Sequence, residues 1–184
     1  MVLSLLRLFC LLPLLFLSRA HLQAPASVEP AEEGVTFQVK NAGITVDGSF
    51  SDLQAVIQFD PGHWADARLE ASVAANTIKT GIKLRDEHLQ GRGYFAAEKY
   101  PRIRMVLKQI AQKGSRYLGT FDLTIRDVNR PVTFPFAYTS TASGGQLQGS
   151  FQINRRDFGV GGNSLTLADE VTVRLEVPVP AASK

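Results

Sequence analysis

Apolar and polar residues alternate along most of this chain, and the period is two. Val35, Phe37 and Val39 alternate with Thr36, Gln38 and Lys40. Asn41-Ala42-Gly43 reads as a turn, after which Ile44, Val46 and Phe50 continue the pattern, with a bend or bulge at Gly48. Val56–Phe59 follows and stops at Asp60-Pro61-Gly62. Leu69, Ala71 and Val73 make a fourth stripe, and Ile103, Met105 and Leu107 a fifth. Then come Phe121, Leu123 and Ile125; Val132, Phe134, Phe136 and Tyr138; Leu147, Phe151 and Ile153; and finally Val171, Val173, Leu175 and Val177. Strict alternation marks half-buried strands, so the pattern predicts eight or nine of them. Only residues 74–100 break the rhythm. Arg85–Leu89 and Ala96–Lys99 tolerate a helix, and Gly91, Gly93 and Pro101 keep it short. One or two short helices are expected there, between the fourth and fifth strands.

Strands with one apolar face need that face covered. Closing the sheet on itself covers it and removes exposed edges, and about eight strands leave an interior that side chains fill or that holds one small ligand. The expected fold is therefore all-β: an extended antiparallel eight-stranded barrel, with a sandwich as the alternative. The domain is expected over residues 34–180. Residues 21–33, rich in Ala, Pro and Glu, read as a flexible leader.

The first twenty residues follow a different pattern. Val2–Leu17 is almost wholly apolar, and its densest part, Leu8–Leu17, is shorter than the roughly 20 residues that span a bilayer. With Ser18 and Ala20 at a cleavage point, residues 1–20 read as a signal peptide and place the protein in the periplasm or outside the cell; a retained anchor is the alternative. Removing Arg7 and Arg19 from the 20 basic residues leaves 18 against 17 acidic ones. A near-neutral mature protein argues against a nucleic-acid partner. The single cysteine, Cys10, lies inside the apolar segment, so the mature chain has neither disulfide nor thiolate chemistry.

Several segments resemble, in order, the YceI-like family of bacterial periplasmic, polyisoprenoid-binding proteins. They are Phe37–Gly43, Phe59-Asp60-Pro61, Thr77–Thr80, Arg85–Leu89, Tyr94–Pro101, Gly119–Val128 with Arg130-Pro131-Val132, Arg156–Gly159 and Ala168–Val171. The resemblance spans about Val35 to Val177. It implies a lipocalin-like barrel whose internal tunnel holds an isoprenoid or a similar long amphiphile. The chain departs from the family's usual pattern at three places. Ala31–Gly34 stands where a His-Ser pair is usual, Asn41 where the first turn carries a histidine, and Asn129 before Arg130-Pro131.

Resemblance and alternation together nominate Phe37, Phe59, Leu84, Leu89, Phe95, Met105, Phe121, Phe134, Phe136 and Phe151 as lining a tunnel. Asn41, Arg85, Asp86 and His88 are the candidates for its polar mouth. Each has a plainer reading. Nine phenylalanines remain after residue 20, and inward phenylalanines also make an ordinary core. Arg85 and Asp86, like Arg155, Arg156 and Asp157, serve equally well as anchors of a loop. The glycines at 159, 161 and 162 lack the strand–turn–helix setting of a phosphate loop.

The expected function is that of a lipid-holding protein with no cofactor, open to transient contact with a membrane or membrane protein and to homodimer formation. Two rival classes differ from it. An interaction protein would have a filled barrel and exposed aromatics such as Trp64 and Tyr117. An enzyme would have only His21, His63 and His88 to work with, without metal-ligand spacing and without a nucleophile elbow around Ser150 or Ser164.

Overall fold

The computed structural model describes residues 26–28, 34–141 and 144–180. The expected signal peptide over residues 1–20 lies outside the described residues.

Ten strands form one antiparallel sheet. In chain order they are β1 (Ala26–Val28), β2 (Val35–Asn41), β3 (Ile44–Phe50), β4 (Gln54–Gln58), β5 (Arg68–Ala74), β6 (Arg102–Lys113), β7 (Arg116–Ile125), β8 (Val128–Thr141), β9 (Gly144–Asn154) and β10 (Leu167–Pro180). Across the sheet the order is β1-β4-β5-β6-β7-β8-β9-β10-β2-β3. From β4 to β10, chain neighbours are sheet neighbours, as expected for alternating segments joined by short connections. The Asn41–Ile44 hairpin turns on Ala42 (φ 50°) and Gly43 (φ 80°), the left-handed pair that suits the twist of a two-residue hairpin. Among the described residues the one α-helix, α1 (Lys83–Leu89), lies in the β5–β6 connection, where the alternation fails.

The order is open, which corrects the expectation of an eight-stranded closed barrel. Two features account for the difference. Ala26–Val28, inside the expected leader, pairs with β4 and adds an edge. At the other edge β3 pairs with β2 alone among the strands, and its end is tied instead to a loop by the Ser49–Lys79 bridge. The sheet is nonetheless curled. Side chains from β2, β5, β6 and β10, spread across its width, line one common cavity.

Burial differs along the length of the curled sheet. On β7, Tyr117, Phe121, Leu123 and Ile125 are buried while their neighbours are not, a period-two pattern with the core on one face. Phe134, Phe136, Leu147 and Phe151 complete this packed region. Its rings form stacked pairs: Phe121–Phe134 with centroids 4.9 Å apart, Phe134–Phe151 at 4.5 Å and Tyr117–Phe136 at 5.5 Å. Glycine makes room for them. A Cβ at Gly119 would run into the rings of Phe121 and Phe136, so the bare backbone there is part of the packing.

Candidate functional site: an apolar cavity at one end of the sheet

The inward residues of β2 and β6, and of β10 as far as Leu175, behave differently from those of β7. Val35, Phe37, Val39, Ile103, Met105, Val171, Val173 and Leu175 lie on inward stripes yet are only half-buried. Their remaining exposure faces a cavity of about 360 Å³. That volume lies within the roughly 300–1,000 Å³ typical of small-molecule sites. A second void of about 60 Å³, lined by Phe121, Phe134, Phe136 and Leu147, lies deeper. Ala71, Met105, Leu175 and Val177 border both spaces, so the small void continues the large one past a constriction.

The interior is thus open in one half and filled in the other. Phe151 lines the cavity and stacks on Phe134, which stacks on Phe121, so this ring stack is the cavity floor. Beyond it, Phe59 meets Tyr117 edge-on at 5.0 Å and Tyr138 at 5.2 Å, and Trp64 leans on Tyr117.

Polar lining gathers mainly at the opposite end, around α1 and the β9–β10 connection, where Asn41, Thr80, Arg85, His88, Ser164 and Thr166 border the cavity. His88 is exposed as well as lining, which makes this end the mouth. Thr80 organises one side. Its backbone N–H donates to Asp86 Oδ1 at 2.8 Å, and its hydroxyl donates to the same oxygen. Arg85 Nε donates to Thr80 Oγ1 at 2.7 Å and Arg85 Nη2 to the Thr80 carbonyl at 2.6 Å. Both charged groups therefore serve to fold the start of α1 onto its own loop. His88 packs edge-on against Tyr94, with ring centroids 5.0 Å apart.

Arg155 organises the other side. It is 4% exposed, and every N–H of its guanidinium is used: Nε on Ala168 O, Nη1 on Val160 O and Gly162 O, Nη2 on Leu167 O and Asp169 Oδ1, at 2.7–3.0 Å. A guanidinium so committed holds a loop and has no donor left for a ligand. Asn41 is the reverse case. Its Oδ1 is buried beside the cavity and has no hydrogen-bond partner among the described residues. The groups with resolved pKa shifts lie away from this site. Asp60 pushes the His63 imidazole above its ordinary value by accepting its hydrogen bond, and Tyr100 lowers Asp127 by donating one. Among the described residues no three His, Cys, Asp or Glu side chains gather closely enough to hold a metal ion.

The residues nominated from the sequence divide into three groups. Phe37, Asn41, Arg85, His88, Leu89, Phe95, Met105 and Phe151 line the large cavity. Phe121, Phe134 and Phe136 border only the small inner void, and Phe59 packs into the aromatic cluster behind it. Leu84 and Asp86 line neither space. Leu84 is 78% exposed, because it falls on the outer face of α1, and Asp86 is turned to Thr80. The aliphatic lining of β2 and β10, together with Thr80, Ser164 and Thr166, was not singled out. For the valines a signal existed in the alternation itself, but aromatic residues drew the assignment toward the packed half.

The structure of BcnA from Burkholderia cenocepacia superposes with a TM-score of 0.74 and 26% identity, over 77% of this chain and 92% of that one. A polyisoprenoid binding domain from Saccharophagus degradans, implicated in plant cell wall breakdown, gives a TM-score of 0.61 over 83% of this chain and 96% of its own. At 13% identity that is a likeness of fold. A UPF0312 protein of Photorhabdus laumondii is 28% identical over 99 residues, which is 53% of this chain and 52% of that protein, so the match spans about half of the relative's length. Residues 27–179 match the YceI-like domain, and the chain belongs to that family.

Proposed function

We propose that this protein is exported and holds a polyisoprenoid, or a similarly long amphiphilic lipid, in the cavity between β2, β5, β6 and β10. One observation carries the reading: about 360 Å³ of interior lined by half-buried aliphatic side chains, in a sheet whose other half is largely filled by stacked rings. Enclosed apolar voids cost roughly 24 cal/mol per Å³, and this space, although open at its mouth, likewise leaves its aliphatic walls without packing partners. The packed half shows that this sheet accepts large side chains. A space kept open at that cost is best understood as room for something else.

An isoprenoid chain fits the chemistry of the walls. Each buried CH₂ is worth about 0.8 kcal/mol, so a few five-carbon units offset the cost of association. A domain of the same fold from S. degradans is described as binding polyisoprenoid, which supports the same ligand class here. The mouth fixes orientation: a hydroxyl on the lipid head donates to Asn41 Oδ1, which otherwise lacks a partner. Holding such a ligand takes packing and one hydrogen bond, with no bond made or broken. The alternative of an interaction protein with a filled interior describes only the aromatic half.

Native mass spectrometry of protein purified from its own host tests the reading. The expected result is an added mass of lipid size that is released by organic solvent. A bare polypeptide mass, together with failure of the solvent-stripped protein to take up a long-chain prenol, would sink the proposal.

A further inference from the structure

The cavity mouth is framed by a closed circuit of backbone. Ser49 and Lys79 exchange N–H···O bonds of 2.9 Å, the chain runs from Lys79 to Gly93, and Gly161 N–H donates to Gly93 O at 2.8 Å. From Gly161 the chain reaches Thr166, whose carbonyl accepts from Ala42 N–H at 2.8 Å, and residues 42–49 close the circuit. Each of the three segments contributes residues to the cavity wall: Val46, then Thr80 and His88, then Ser164 and Thr166.

The same circuit carries most of the molecule's exposed large apolar side chains. Among the described residues five are conspicuous, and four of them, Ile44 (71% exposed), Ile82 (54%), Leu84 (78%) and the fully exposed Leu165, lie on it. The fifth, Val56, belongs to β4. Ile44 sits two residues before Val46 on the same face of β3, so the apolar lining continues past the lip onto the outside. Scattered exposed apolar residues need no explanation, but a set confined to the rim of one cavity does. Charge adds to the picture. Four basic residues on these segments, Lys79, Lys83, Arg85 and Arg92, stand against three acids, of which Glu87 lies 3.8 Å from Lys83 while Asp47 and Asp86 accept from the neutral Gln38 and Thr80. Lys79 and Arg92 have no ion-pair partner among the described residues.

We propose that this rim docks on the surface of an anionic phospholipid bilayer, with Ile44, Ile82, Leu84 and Leu165 dipping into the interface. The choice of a bilayer rests on the lipid-holding reading above, since the apolar wall of the cavity runs directly onto these residues. Apolar tips spread over three chain segments that also carry basic residues suit an interface that demands no shape complementarity. Unpaired lysine and arginine beside them meet anionic headgroups. Docked this way, the mouth opens into the acyl region and a lipid passes between membrane and cavity without crossing water.

Co-sedimentation with vesicles of equal parts phosphatidylglycerol and phosphatidylcholine tests this. Wild type is expected to sediment, and the triple variant Ile44→Ser, Leu84→Ser, Leu165→Ser to partition about tenfold less or weaker still, while keeping its cavity lipid by native mass spectrometry. Ala71→Phe, which fills the inner cavity, should still sediment, so loss of the lipid reading and loss of the docking reading are told apart. In the exported protein without residues 1–20, which has no native cysteine, an environment-sensitive fluorophore at Leu165→Cys should shift to the blue on adding vesicles, and one at Val56→Cys should not. No binding by wild type, equal binding by the triple variant with no shift at position 165, or a wild-type dimer that the triple variant loses without any vesicle binding would each overturn the proposal.

Discussion

Asn41 and Arg155 stand on the same wall of the mouth with opposite chemistry. Arg155 is charged, buried and wholly committed to carbonyls and to Asp169, so it sets the shape of the loop that ends in Leu167. Asn41 is neutral, and its Oδ1 has no partner among the described residues. An unsatisfied buried acceptor costs about 1–3 kcal/mol, so Asn41 is poorly explained as a stabilising residue and well explained as a contact for a ligand's donor. Replacing it separates the two. Asn41→Leu in the solvent-stripped protein should melt no lower than wild type in a thermal scan, because an unpaired polar atom has gone. Its affinity for a long-chain prenol should fall about tenfold, while affinity for the corresponding hydrocarbon stays level. A lower melting temperature with undiminished prenol affinity would make Asn41 a structural residue.

At the scale of elements, α1 brings Arg85 and His88 to the mouth. It is two turns long, and its start is secured by Thr80, whose hydroxyl receives Arg85 Nε and donates to Asp86. Thr80→Val keeps the shape and removes both hydroxyl bonds, leaving those to the Thr80 backbone. The expected outcome is faster amide exchange across residues 83–90, by roughly tenfold for about 1–1.5 kcal/mol of local stability, and faster lipid exchange, with little change in global melting. Unchanged exchange in that segment would show that the Thr80 hydroxyl does not hold α1 in place.

The elements themselves were largely legible in the sequence. Alternation located β2 to β10, and its failure over residues 74–100 located α1. β1 was not legible, since three residues in an Ala- and Pro-rich stretch carry no period, and its pairing depends on the edge that β4 offers. Depth along the axis was not legible either. Period two says which face a residue takes but not how far along the tube it sits, so Phe37 and Phe134 look alike in sequence. One lines the cavity wall and the other lies within the ring stack of its floor. The glycines do not separate them, since Gly48 lies beneath the Phe37 ring as Gly149 lies beneath that of Phe134.

The molecule as a whole is a curled sheet largely filled with aromatic rings at one end and hollow at the other. Ala71 lies where the two meet, bordering both spaces between Leu69 and Val73 on β5. Its small side chain leaves the passage open, and a ring there would extend the aromatic floor upward. Titration calorimetry of solvent-stripped wild type and Ala71→Phe with a long-chain prenol at several temperatures is the most direct measurement. One-to-one binding with a negative heat-capacity change is predicted for wild type, with binding at least about tenfold weaker in a variant that melts at or above the wild-type temperature. No binding by wild type, or equal binding by the variant, would contradict the claim that the space between β2, β5, β6 and β10 is where the lipid sits.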